Sequence, residues 1–183
     1  MQRQRAALDH EQTGRGSGAA LLKTANRIAH ALAIFVSAVF LDSLRFKFTD
    51  APKTRVIFGD LNDWAASNGL SGLFSYTGLF SQYVIGGAEL LAAIALLAGV
   101  FSRRWRYLQP LGAALGIAIM TGAISFHLFT PLGVDVAGDR GALFYAACSA
   151  WAGAAALLAL RRREIGVLAA RTAAFAKPDM TAW

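Results

Sequence analysis

Four long apolar runs, almost free of charge, constrain this chain more than anything else in it. Residues 28–41 are broken only by His30 and Ser37, and residues 83–101 hold one charge, Glu89. Residues 111–129 hold one histidine, His127, and no formal charge. In residues 142–160 only Tyr145 and Cys148 can ionise. A helix needs about 20 residues to cross the hydrocarbon core of a bilayer. With the first run extended to Phe46, four segments reach that length, at 27–46, 81–101, 108–128 and 142–160. Of the 183 residues 56% are apolar and 16% charged, which excludes a disordered chain, and one cysteine excludes a disulfide scaffold. The predicted fold class is all-α, an integral membrane four-helix bundle.

The basic residues set the expected orientation. The N-terminal tail carries Arg3, Arg5, Arg15, Lys23 and Arg27, the second loop Arg103, Arg104 and Arg106, and the C-terminal tail Arg161, Arg162, Arg163, Arg171 and Lys177. The opposite side carries only Arg45, Lys47, Lys53, Arg55 and Arg140. Lys and Arg accumulate on the cytoplasmic side of membrane proteins, so both termini are expected there. The expected organisation is a cytoplasmic tail over 1–26, a transmembrane domain over 27–163 with an external loop at 47–80, and a second cytoplasmic tail over 164–183. The net charge of +7 and pI of 10.2 then follow from topology, and nucleic acid is not an expected partner. The first span has the basic flank of a signal peptide. However, Asp42, Arg45 and Lys47 stand where small residues would precede cleavage, so the span is read as a retained anchor.

Residues 1–20, with Gly14, Gly16 and Gly18, read as a polar tail. In the first external loop Ile57, Phe58, Leu61, Trp64 and Ala65 recur at helical spacing opposite Asp60, Asn62 and Asp63, ahead of Asn68-Gly69. That pattern predicts an amphipathic helix at 54–68, lying on the membrane or lidding the bundle. The stretch Gly72 to Phe80 reads as dipping into the interface, and 161–175 as a surface helix. Gly112 and Gly116, and the ridge Ala146, Ala150 and Ala154, permit close helix approach. No internal repeat is evident.

Ionisable groups within spans are costly and tend to face the interior, where function is sought first. They are His30, Asp42, Arg45, Lys47, Glu89 and His127, with Tyr145 and Cys148 as weaker members. Glu89 lies about 12 Å below the external surface, eight residues into its helix at 1.5 Å per residue. Side chains lean toward the N-terminus of their helix. Arg45 and Lys47 therefore lean into the membrane and Glu89 leans out, which predicts an Arg45–Glu89 or Lys47–Glu89 pair, with Asp42 able to share Arg45. Two readings follow. The pair fixes helix register, with any unpaired cation snorkelling to the headgroups. Alternatively, Asp42, Arg45, Lys47, Glu89 and His127 form a ligand-binding pocket at the external side, closed by the 54–68 helix, for a polar head with an apolar tail.

Several chemistries fail on spacing. His30 and His127 lie near opposite ends of their spans and cannot share a haem iron. One cysteine and three scattered histidines supply no metal site or iron–sulfur cluster, and no cysteine pair exists for thiol exchange. Phosphate-loop, dinucleotide and nucleophile-elbow motifs are missing. No intrinsic cofactor is expected. Cys148, in an Ala-rich helix, reads as a small core residue.

These same residues carry a family resemblance. The first span ends in Leu44-Arg45-Phe46, followed by Lys47-Phe48. The second opens with Gly86-Gly87-Ala88-Glu89-Leu90-Leu91 and runs through Gly99 to Arg103-Arg104, and the third ends in Ser125-Phe126-His127-Leu128. Together with the long first loop, over about 25–165, this resembles the DoxX-like superfamily of small four-helix bacterial membrane proteins, YkgB-type members included. Arg45 where the family has Lys, and the added Asp42 and His127, are departures. The resemblance implies an inner-membrane subunit associated with a quinone-linked redox complex rather than a self-sufficient catalyst, with quinone as its ligand. The expected partners are membrane lipid, other membrane or redox-complex subunits and further copies in a homo-oligomer. A non-catalytic scaffold subunit is the alternative. A small-solute carrier is a third reading, disfavoured by the lack of inverted repeats and broken helices.

Overall fold

The computed structural model describes residues 2–162 and 164–166, with side-chain surroundings from residue 20 onward. Among the described residues the elements are α1 (Gln2–Phe48), α2 (Pro52–Ser67), α3 (Gln82–Phe101), α4 (Leu108–Phe129) and α5 (Ala142–Leu160), with a 3-10 turn at Arg103–Trp105 between α3 and α4. Four segments are long and apolar enough to cross a membrane: Ala20–Phe48, Gln82–Phe101, Leu108–Phe129 and Ala142–Leu160. The chain is an all-α four-helix bundle. Three spans agree with the sequence reading to within a residue.

The first span differs. Residues read as a tail over 1–26 continue the helix from Gln2, so that α1 runs unbroken to Phe48. Gly14, Gly16 and Gly18 each cost about 1 kcal/mol in a helix interior, but no proline interrupts the run and its Gln, Arg, Ala and Leu residues favour helix. The expected surface helix at 161–175 lies largely outside the described residues, as does most of the 164–183 tail.

Each span buries one narrow stripe. On α1 it is Ala29, Ala33, Val36, Phe40 and Leu44, on α3 Gly86, Glu89, Ala92, Ala93, Leu96 and Gly99, and on α5 Ala147, Ala150, Ala154 and Leu157. Steps of three and four keep these residues on one helix face. The rest of the surface is apolar as well, with Leu91, Ile94, Phe101, Leu111 and Phe129 all exposed. Lipid, unlike water, accepts that. Contact is set by small residues: a Cβ on Gly112 would lie 2.9 Å from the Ala92 carbonyl oxygen, and one on Gly116 3.1 Å from the Phe40 ring. The two glycines thus serve different neighbours, α3 and α1.

α1 packs against α3 and α5, and α4 packs against the same two, so α1 and α4 face each other across a diagonal. α2 lies over one end of this square. Its Leu61 and Ala65 join Phe74, Leu132 and Val136 in a second apolar cluster, backed by Ile57, Phe58, Trp64 and Phe126. The amphipathic face is therefore turned onto the bundle as a lid. Pro52 starts the helix without losing a needed donor. At its other end the Leu70 amide returns to the Ala65 carbonyl at 2.8 Å, across Gly69 at φ +77°.

Candidate functional site

The geometry of the site begins where α1 ends. Lys47 is held by α3 at both ends. Gln82 Nε2 donates to the Lys47 carbonyl oxygen at 3.0 Å, and two helical turns further Glu89 receives the Lys47 ammonium on both carboxylate oxygens, each at 3.0 Å. Gln82 also donates to Asp50 Oδ1 at 3.0 Å, fixing the turn beyond α1. The Lys47 side chain leans back along α1, and its third acceptor is the Ser43 hydroxyl oxygen, one turn earlier. The two Glu89 oxygens lie too close together to meet separate N–H groups of the tetrahedral ammonium, so they share one, Ser43 faces a second, and the third is left over. Glu89 is 2% exposed, and an unpaired carboxylate there would cost far more than the pair does.

Arg45 does not join this pair. It bonds Asp42 at 3.0 Å, with the two side chains 67% and 62% exposed, and its guanidinium stacks over Phe46 at 4.6 Å. The expectation of an Arg45–Glu89 contact is thereby corrected in favour of Lys47. The buried stripe on α1 runs 33, 36, 40 and 44, and its next step falls at 47, whereas 45 lies about 100° round the helix. Asp42 does share Arg45, on the outer face.

His127, 8% exposed, ends α4 at the same level. Its Nδ1 sits 2.6 Å from the Gly133 carbonyl oxygen. Because a carbonyl can only accept, Nδ1 carries a proton, and in a neutral imidazole Nε2 then presents a lone pair. The ring meets Phe144 edge-on at 5.6 Å.

These groups rim a cavity of about 600 Å³ inside the α2 end of the bundle. Phe40 and Met120 lie toward the bundle centre, and Phe58, Phe74, Phe80 and Phe126 are among its apolar walls. Ser43, Lys47, Lys53, Thr54, Glu89 and His127 are among its polar lining. α1 and α5 touch where Gly153 meets Val36 and Phe35. Beyond that level, Val39, Asp42, Ser43 and Phe46 on α1 and Leu143, Ala146 and Ala147 on α5 line the cavity instead. Phe46 and Leu143, like Ala118 on α4, are exposed, so the cavity is open to the outside of the bundle. Of the five sequence-predicted site residues, Asp42, Lys47, Glu89 and His127 line it and Arg45 does not.

Ser43, Lys53 and Asp139 were not among the predicted residues. Lys53 on α2 bonds Asp139 at 3.2 Å, tying the lid to the loop between α4 and α5. Asp139 also accepts the backbone N–H groups of Val136 (3.1 Å), Gly141 (2.9 Å) and Leu143 (3.2 Å). It thereby braces a loop in which Ala137 and Arg140 adopt left-handed backbone at φ 51° and 55°, a conformation unfavourable for residues with a Cβ. Burial on its own raises the Asp139 carboxyl. The amides of Leu143 and Gly141, the Lys53 ammonium and the Val136 amide outweigh it and hold the group below the usual carboxylate range. A lowered folded pKa contributes stability that is fully present above the unfolded value, near about 4, and is lost as pH falls through the folded value. Melting temperature in detergent should therefore hold steady from neutral pH to about 4.5 and fall below that. Asp139→Asn should melt lower at neutral pH and show less of the acid decline; equal declines in the two proteins would refute the assignment.

At the opposite end, Arg161 is buried and donates from Nε to Gln109 Oε1 at 2.9 Å and from Nη1 to Glu164 at 3.2 Å. This link between α4 and α5 had no signal in the spacing of the sequence. His30 lies at that end, close enough to feel the charges of Arg161 and Arg106, and so away from His127. Cys148 is free and half-buried. Among the described residues, no group of three or more His, Cys, Asp or Glu side chains is placed to hold a metal ion. The chain matches no protein-family model, no curated protein and no solved structure.

Proposed function

We propose that this chain is a DoxX-like inner-membrane subunit of a quinone-linked redox complex, and that its cavity holds an amphiphile of quinone type. The observation that carries the reading is the cavity itself, with an apolar interior, a polar rim at one end and exposed residues of α1, α4 and α5 in its lining. Such a site suits a molecule that reaches it through the bilayer, head toward Glu89 and His127 and tail toward Phe40. The charges around it are neutralised in pairs, Lys47 with Glu89, Lys53 with Asp139 and Asp42 with Arg45. A fatty acid or phospholipid head would bring an unmatched charge, and a neutral ring with polar substituents would not. The Leu44-Arg45-Phe46 and Gly86 to Leu91 motifs support the family assignment, and the Lys and Arg distribution supports an external position for α2 and the cavity rim.

The test is purification of the full chain from native membranes in mild detergent, followed by mass spectrometry of bound lipids and proteins. The expected result is a quinone-class lipid retained at about one per chain, together with subunits of an oxidoreductase. Reproducible recovery of a protein partner with no neutral amphiphile would overturn the ligand reading and leave the scaffold role. Reporters fused at Trp183 and Ala137 should place the former in the cytoplasm and the latter outside.

A further inference from the structure

The hydrogen-bonding inventory of the cavity narrows the chemistry of the head group. Lys47 shares one N–H between the two Glu89 oxygens and turns a second to Ser43, so one of its three N–H groups remains. Thr54 spends its hydroxyl proton on the Phe46 carbonyl oxygen at 3.1 Å. Lys53, 38% exposed, sits at the rim and is engaged by Asp139. Ser43 and His127 also keep unspent capacity among the described residues. The Ser43 hydroxyl accepts from Lys47 and makes no bond as a donor, so its proton is free. His127 spends Nδ1–H on Gly133, so Nε2 presents an acceptor.

We infer that the ligand's head group is uncharged and carries a hydroxyl, which donates to His127 Nε2 while a head-group oxygen accepts from Ser43, so that a hydroquinone binds in preference to the corresponding quinone. This rests on the amphiphile reading of the cavity. A quinone presents only carbonyl acceptors. Against Nε2 it would set lone pair against lone pair, and protonating the imidazole to cure this would put a net charge into a site whose other charges cancel. A hydroquinone brings the donor that the site lacks and keeps an oxygen for Ser43. The difference between one hydrogen bond made and one acceptor left bare in a buried site corresponds to about tenfold or more in affinity.

The experiment uses the full chain in phosphatidylcholine nanodiscs and three probes with one alkyl tail: a decyl-benzoquinone, its hydroquinone under argon, and the dimethyl ether of that hydroquinone. The ether has the same ring without the O–H donors and is redox-inert. The expected order is hydroquinone tighter than both others by about tenfold or more, measured by titration calorimetry. His127→Asn retains an N–H for Gly133 and removes the Nε2 acceptor. It should erase the preference, bringing the hydroquinone to the affinity of its dimethyl ether. Quinone or ether binding as tightly as the hydroquinone would overturn the inference and leave the cavity reading intact. No measurable binding of any of the three would overturn both. Retention of the full preference in His127→Asn would show that His127 is not the acceptor.

Discussion

Replacing Glu89 by glutamine should lower the stability of the folded bundle by about 3–5 kcal/mol, the usual cost of stripping one partner from a buried ion pair. The Lys47 ammonium would keep Ser43 and lose its counter-charge, at a position where its own carbonyl is pinned by Gln82 and the side chain cannot leave without distorting the end of α1. Lys47→Met should cost a similar amount, because it strands a carboxylate that is 2% exposed. In the double variant neither charge remains, and the loss should be well below the sum of the two, a coupling of about 2 kcal/mol or more. Arg45→Met supplies the contrast. Its pair with Asp42 is open to solvent or headgroups, where ion pairs contribute about 0–1 kcal/mol. Thermal unfolding of the four proteins in one detergent reads all these effects. Strictly additive losses for Glu89 and Lys47 would mean that the two do not interact, and a loss from Arg45→Met equal to that from Glu89→Gln would restore Arg45 as the partner.

The fold was legible because lipid imposes a simple rule: a span must be long, helical and free of unpaired charge, and four runs obey it. The lid was legible for the same kind of reason, since a two-sided pattern in Ile57, Phe58, Leu61, Trp64 and Ala65 requires an apolar surface to face. What the sequence did not yield was the choice between two cations two residues apart. Lean alone favours both Arg45 and Lys47, and only the helical phase of the buried stripe separates them. That phase was available in the sequence at Ala33, Val36, Phe40 and Leu44, and extending it by three points to Lys47. Ser43 is a different case. A serine inside a span bonds most readily to its own helix backbone, and its placement under Lys47 matters only once Glu89 is known to anchor the ammonium. The Lys53–Asp139 and Gln109–Arg161 links were hidden because their partners lie on different elements, far apart along the chain. Nothing periodic in a loop or a helix terminus announces a contact of that range.

Phe40→Ala is the substitution expected to act on stability and on ligand together. Phe40 is fully buried on α1, its ring edge packs against Gly116 of α4 across the diagonal of the bundle, and it also lines the cavity. In water-soluble cores Phe→Ala costs about 3–5 kcal/mol, part from transfer out of water and part from the void left behind. Within a bilayer the transfer part shrinks, because a helix that separates from the bundle meets lipid rather than water, and the packing part remains. The expected loss is therefore about 2–3 kcal/mol. Glycine at 116 cannot fill the gap, and Met120, the nearest flexible liner, closes it only by moving out of the cavity wall. The void then joins the cavity and extends it toward the bundle centre. For one head group carried on alkyl chains of increasing length, the native protein should show an affinity maximum, and Phe40→Ala should shift that maximum to a longer chain while the preference set at His127 is unchanged. A lowered melting temperature with an unmoved chain-length optimum would mean that Phe40 braces the bundle without bounding the ligand. An unchanged melting temperature would contradict the packing on which the position of the cavity rests.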